Sequence, residues 1–171
     1  METHIGIGIG KIIEEKILNA KSEILISSPT ISPVFAKKLI NLTKKGVKIK
    51  IITTEPALEE YKQAVKILQE KYSKKHNEMF ELKVVDYNQA ASIHAKIFII
   101  DNRFVITGSA NLTEKSFFEL PEYIIIQNKD YEINKIKSDF DQIWENYQNE
   151  SLRNIVKKRI KNLIKKLLFR F

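Results

Sequence analysis

The chain contains no cysteine. That absence removes disulfides, thiol nucleophiles and cysteine-based metal sites, and it suits a reducing interior. Histidine is scarce too. His4, His76 and His94 lie far apart with no HxH or HExxH pairing, so no metal centre is expected, and no motif asks for a cofactor. No segment approaches the roughly 18 consecutive apolar residues of a spanning helix. The opening METHIGIGIG carries Glu2 early and no basic leader region, so the expected location is the cytoplasm. No repeat or low-complexity block divides the 171 residues, a length that suits one domain with a sizeable core. Acidic residues are missing from one place in particular. From residue 151 onward Arg153, Lys157, Lys158, Arg159, Lys161, Lys165, Lys166 and Arg170 stand with no Asp or Glu. Subtracting those eight charges from the net +8 leaves residues 1–150 formally neutral.

What is present alternates between strand and helix signals. Residues 1–10 pair Ile with Gly and read as a flexible leader, because glycine weakens both helix and strand. The spacing of Ile12, Ile13, Ile17 and Leu18 predicts a helix from Lys11 to Lys21, and Glu23 to Ser28 reads as a buried strand. Pro33 opens a helix over 33–45 that Gly46 closes; GVKIKIITT follows as a strand, and a third helix covers 57–72. Phe80 to Asp86 is a further strand. Leu112 to Leu120 reads as a loop or short helix, Glu122 to Gln127 as an interior strand, and 130–149 as a helix with Ile133, Ile136, Phe140, Ile143, Trp144 and Tyr147 at helical spacing. The expected fold class is α/β, a mixed sheet with helices on both faces.

Between these elements lies HAKIFIIDNRFVITGSAN, residues 94–111, which reads as a β-hairpin. A two-residue turn at Asn102-Arg103 would pair 101 with 104, 96 with 109 and 94 with 111. Strand alternation and cross-strand pairing then gather His94, Lys96, Ser109 and Asn111 on one face at the open end. Gly108 suits a bend or a close approach. The cluster is phosphate-sized and holds a potential nucleophile.

The same stretch spells HxKx4Dx6GSxN, through His94, Lys96, Asp101, Gly108, Ser109 and Asn111. Six fixed residues at roughly 5% usage each make a chance match on the order of one in several hundred thousand. The pattern resembles the signature of the phospholipase D superfamily, with no departure. The helix–ILISSPTIS–helix–GVKIKIITT lead-in, Glu122 before YIII, and FDQIW near 140–144 extend the resemblance over roughly residues 11–148, within a catalytic domain read as 11–150. A short chain with one motif is most similar to the endonuclease-type members, which act as homodimers.

Phosphodiester cleavage needs a nucleophile, charge on the phosphoryl oxygens and an acid for the leaving oxygen. Neutral His94 can attack phosphorus, Lys96 supplies positive charge, and Asn111 and Ser109 can donate hydrogen bonds. The resemblance implies a covalent phosphohistidine route without metal. Glu122, reaching His94 Nδ1, would fix the tautomer and stabilise the imidazolium. Asp101, at the turn end, reads as support. A second acid is missing, and the resemblance implies that a second His94 comes from a two-fold-related subunit, giving a homodimer with a shared site.

The substrate stays open. The leading reading is a nuclease acting on DNA or RNA. The alternatives are phospholipase D-type chemistry on lipid headgroups, and a non-catalytic module binding nucleic acid or membrane. Residues 151–171 read as a basic amphipathic helix with three readings: docked on the domain, held to nucleic acid phosphates through Lys157, Lys158, Lys161, Lys165 and Lys166, or lying on an anionic membrane surface as a peripheral anchor.

Overall fold

In a computed structural model of the chain, the structure describes residues 1–73, 78–85 and 94–147. Seven strands form one sheet in the order β1-β7-β6-β5-β2-β3-β4. In chain order these are β1 (Glu2–Ile7), β2 (Glu23–Ser27), β3 (Lys48–Thr54), β4 (Phe80–Val85), β5 (Ile97–Ile100), β6 (Phe104–Gly108) and β7 (Pro121–Gln127). The helices are α1 (Gly10–Leu18), α2 (Pro33–Thr43), α3 (Glu59–Ser73) and α4 (residues 130–147), with a single π-helical turn at Lys115–Glu119. β2, β3 and β4 run parallel, and β5, β6, β7 and β1 pair antiparallel. The sheet is mixed, as the hairpin required.

Side-chain alternation gives the sheet two different faces. Ile24, Ile26, Ile49, Ile51, Phe98, Ile100, Ile106, Ile124 and Ile126 face one way and form one core with Ile13 and Ile17 of α1, Phe35 and Leu39 of α2, and Ala64 and Leu68 of α3. The π-turn joins this layer through Phe117, whose ring meets Phe35 edge-on at 4.7 Å. Gly10 lets α1 come close here, since a Cβ on it would lie 2.3 Å from Phe117 Cα. On the other face Leu25, Ile52, Ile99 and Val105 are buried. The start of α4 belongs to that side: Ile133 is buried, and Lys137 Nζ bonds Glu23 Oε2 and Asn102 Oδ1, both at 2.8 Å. No described helix is long and apolar enough to cross a membrane.

Two expectations are corrected. Residues 1–10 are not a flexible leader: Glu2–Ile7 is a strand, paired with β7 from Glu2↔Ile126 to Ile7↔Pro121. The Ile-Gly alternation is itself a period-two pattern. Pairing satisfies the backbone groups along the free edge of β7, which outweighs the weak strand preference of glycine. The second correction is the hairpin register. Ile100 pairs with Phe104 and Ile97 with Thr107, so the turn has three residues, Asp101 to Arg103. Asp101 and Asn102 both take left-handed conformations, with φ of 55° and 52°. Asp and Asn tolerate that region better than other side chains, which lets the longer turn close.

The chain divides into two compact units, Met1–Lys137 and Ser138–Phe171. In the second, the Phe140 and Trp144 rings stack with centroids 6.3 Å apart. The basic helix expected over 151–171, with its five named lysines, lies outside the described residues.

Candidate active site

β2 lies beside β3 on one side and β5 on the other. The chain therefore changes direction across the sheet at β2, and the crevice beyond the carboxyl ends of such strands is where open α/β sheets take ligands. Because β5 and β7 run opposite to β2 and β6, this edge collects the end of β2, the approach to β5, the end of β6 and the start of β7. Those four places hold Ser27, His94 to Lys96, Gly108-Ser109 and Glu122.

The segment before β5 is fixed by Ser27, whose hydroxyl donates to Ala95 O at 2.9 Å. That leaves His94 exposed and turns Lys96 inward, where it is 9% exposed. The Lys96 ammonium reaches His94 twice, 3.1 Å from ring Nε2 and 2.9 Å from the main-chain O. An ammonium can only donate, so Nε2 serves as acceptor and the ring proton sits on Nδ1. Burial pushes the Lys96 amine below its usual pKa, while the Glu122 carboxylate pulls in the opposite direction without cancelling the effect. Glu122 is buried on the sheet face it shares with Ile124 and Ile126. Its Oε2 accepts a short hydrogen bond from the Ser109 hydroxyl, and Ser109 Oγ in turn accepts from Tyr123 N at 3.0 Å. His94–Lys96 and Ser109–Glu122 are thus two bonded pairs, coupled through the charge of Glu122 acting on Lys96. In this chain the Glu122 carboxylate goes to Ser109, not to His94 Nδ1.

The one-residue change of register has a consequence here. In a regular ladder Ser109 would fall on the face opposite Lys96. The ladder ends at Gly108, which takes φ 157° where β7 presses close; a Cβ there would meet Tyr123 O at 2.0 Å. The close approach expected of Gly108 is made by a neighbouring strand. Beyond it Ser109 turns its hydroxyl to Glu122.

Asn111 follows in a loop clamped from several sides. Leu112 N donates to Ser28 Oγ at 3.0 Å, Ser32 N donates to Leu112 O at 3.0 Å, and Ile31 bridges Leu112 in parallel. Ser32 precedes α2 at the capping position, yet its hydroxyl makes no cap bond and donates instead to Glu114 Oε2. Asn111 forms no hydrogen bond with His94 or Lys96, and its Oδ1 is buried without a partner. Such an amide is poised for a further hydrogen-bonding group. Ser27, Ser28, Ser32 and Glu114 received no role from the sequence. The signal for them was the SSPT run directly after a buried strand, where hydroxyls reach the sheet's carboxyl edge.

Asp101 lies at the other end of the hairpin. Its carboxylate accepts from Lys21 N and Ser22 N at 2.8 Å, Ser22 Oγ at 2.9 Å and Glu23 N at 3.1 Å. Burial raises its pKa, and the three backbone donors and the Ser22 hydroxyl outweigh that, so the carboxyl titrates below its usual range. Asp101 splices the hairpin turn to the loop between α1 and β2. Among the described residues no group of three or more His, Asp or Glu gathers in a form that could hold a metal ion.

The family described as "Cardiolipin synthase, PLD-like domain" matches residues 13–144. No curated protein sequence matches the chain. Among solved structures it resembles NucT from Helicobacter pylori at TM-score 0.63 and 18% identity, and Nuc from Salmonella typhimurium, a phospholipase D family member, at 0.63 and 22%. Each match covers 84% of this chain and 94% of the other. It also resembles a phosphatidylserine synthase from Haemophilus influenzae Rd KW20 at TM-score 0.67 and 16% identity, covering 98% of this chain and 46% of that one. These likenesses establish the shared fold.

Proposed function

The chain belongs to the phospholipase D superfamily, and we propose that it is a phosphodiesterase that cleaves nucleic acid through a phosphohistidine, as a homodimer with one shared site. The His94–Lys96 pair at the carboxyl edge of the sheet, with the Ser109–Glu122 pair acting on it electrostatically, carries the reading. It sets an exposed imidazole against a buried ammonium, with a carboxylate whose charge reaches that ammonium, the parts that attack on a phosphodiester requires.

In the resting chain the Lys96 ammonium occupies the Nε2 lone pair. An incoming phosphate offers that ammonium better acceptors, and moving to them frees Nε2 to attack. The Nε2–P bond forms as the P–O bond to the leaving group breaks, and the leaving oxygen takes a proton from His94 of the partner subunit. Water then attacks phosphorus, the partner's His94 accepts its proton, and the Nε2–P bond breaks. Lys96 and the Asn111 amide hold the phosphoryl oxygens throughout. Glu122 offsets the charge of Lys96 between turnovers and, by rotating off Ser109, can take the proton on Nδ1.

The nuclease reading is supported by the likeness to NucT and Nuc, which extends over 94% of each of those chains. Headgroup chemistry on phospholipid is the second reading, supported by the description of the matched family. The test is a panel of single- and double-stranded DNA, RNA and phospholipid vesicles in excess EDTA, with His94→Ala as control. Cleavage of nucleic acid that survives EDTA and is lost in His94→Ala supports the proposal. Headgroup release with intact nucleic acid replaces it with the lipid reading. Binding without turnover in both proteins reduces the chain to a binding module.

A further inference from the structure

β2 runs into two adjacent serines, Ser27 and Ser28, and both are 0% exposed. A buried hydroxyl needs a hydrogen-bond partner. Each finds one on a segment that lies outside the paired strands. Ala95 precedes β5, which begins at Ile97, and Leu112 follows β6, which ends at Gly108. The Ser27 hydroxyl donates to Ala95 O at 2.9 Å across 68 residues, and Ser28 Oγ accepts from Leu112 N at 3.0 Å across 84 residues. Ser28 Oγ also donates to Thr30 O at 2.7 Å, so its proton is placed and a lone pair is left for Leu112 N.

Neighbouring residues of a strand point to opposite faces, which lets two adjacent hydroxyls grip two different segments. Ser27 shares the face of Leu25 and grips the chain at Ala95, the residue between His94 and Lys96. Ser28 shares the face of Ile26 and grips the chain one residue past Asn111. Consecutive Cα atoms stand about 3.8 Å apart across a trans peptide, so both grips sit on one short, stiff length of backbone. That length is itself anchored, because β2 pairs with β3 and β5 and Ser28 N donates to Ile52 O at 3.1 Å.

We infer that Ser27 and Ser28 are positioning residues: Ser27 places His94 and Lys96, Ser28 places Asn111, and together they set the distance between the nucleophile and the phosphoryl-binding amide. The roles of His94, Lys96 and Asn111 in this rest on the phosphodiesterase reading above. Each serine acts through one main-chain atom and takes no proton in the reaction.

The two ties are expected to fail differently. Ser27→Ala releases the segment that turns Lys96 inward, where burial lowers its pKa and His94 and the Glu122 carboxylate are the ionisable groups facing it. Lys96 then meets more water, its pKa rises toward the ordinary value, and the alkaline limb of kcat/KM moves to higher pH. Its kcat is expected to fall about tenfold, since a small misplacement of the nucleophile is costly. Ser28→Ala leaves that limb in place. The Asn111 loop keeps the bond from Ser32 N to Leu112 O, and kcat is expected to fall about fivefold with KM little changed. Ser27→Cys and Ser28→Cys keep the volume with a weak donor and are expected to follow the alanine variants, which keeps the test open if an alanine protein fails to fold.

Folded variants that stay within about twofold of wild type at every pH reduce the serines to parts of the fold and overturn the inference. A limb that moves equally in both variants, or only in Ser28→Ala, overturns the division between them. Wild type that cleaves no phosphodiester removes the proposed function, and NMR titration of isotope-labelled lysines then decides the ties. A Lys96 pKa that rises in Ser27→Ala alone supports them, and one that is the same in wild type and both variants overturns them.

Discussion

Asp101 offers the most exacting test of how the hairpin is held. Its carboxylate collects four donors from Lys21, Ser22 and Glu23, joining the turn of β5–β6 to the entry of β2 across some eighty residues of sequence. A hydrogen bond to a charged acceptor contributes about 1.5–3 kcal/mol when shielded. Three of these four bonds are exposed, so water can replace them, and the set together is worth about 2–3 kcal/mol. Asp101→Ala also places a side chain without a local hydrogen bond in a left-handed conformation, adding about 1 kcal/mol. Asp101→Gly removes the acceptors and keeps the backbone at ease. Asp101→Asn keeps one acceptor oxygen and is expected to lose about 1 kcal/mol.

The pH dependence carries the sign. The folded carboxyl titrates below its unfolded value, so its stabilisation is complete above about pH 4 and is lost as pH falls through the folded value. Urea titrations from pH 7 to 2 are expected to show wild type converging on Asp101→Asn at the acid end. The site lies five residues along β5, roughly 16 Å away, so turnover of folded Asp101→Asn should stay within about twofold of wild type, a difference of about 0.4 kcal/mol in barrier. An Asp101→Gly protein that unfolds with wild type at every pH would refute the splice. A well-folded Asp101→Asn that loses more than tenfold in turnover would refute the separation of turn from site.

Three further outcomes follow from the same contacts. Lys96→Met is expected to be inactive yet no less stable than wild type at pH 7 by urea denaturation, because burying the ammonium is what lowers its pKa. For wild type, turnover is expected to fall and relative stability to rise as pH climbs through that lowered value toward 10.5. Gly108→Ala drives a Cβ to 2.0 Å from Tyr123 O and is expected to cost about 3 kcal/mol or more, seen as a collapse of the melting temperature. Ser32→Ala unties Glu114, and with it the loop that carries Asn111, from the start of α2; kcat is expected to fall about tenfold, near 1.4 kcal/mol in barrier, with KM little changed, and Ser32→Thr to restore it.

Much of the fold was legible because its signals are local. β2 is a continuously buried apolar run, β7 is an apolar run with period-two burial, and α2 begins at Ser32-Pro33. What escaped depends on partners distant in the chain. β1 looked too rich in glycine to hold a strand, and it is one because β7, more than a hundred residues later, has an edge to satisfy. The turn was misjudged by one residue because two consecutive left-handed residues, with Asp101 bonded to the loop before β2, stabilise a longer closure than local pattern suggests.

The sequence by itself determined the chemistry available: the identity and spacing of His94, Lys96, Ser109, Asn111 and Glu122 are properties of residue type and position alone. Only the tertiary structure decided how they are wired. A ladder slipped by one residue separates Lys96 from Ser109 by parity, and the end of that ladder at Gly108 lets Ser109 turn to Glu122 of β7. Burial of Lys96 and the clamp of Ser28 and Ser32 on the Asn111 loop both arise from contacts across long sequence separation. No local pattern encodes those, because each depends on which strand becomes the neighbour of which.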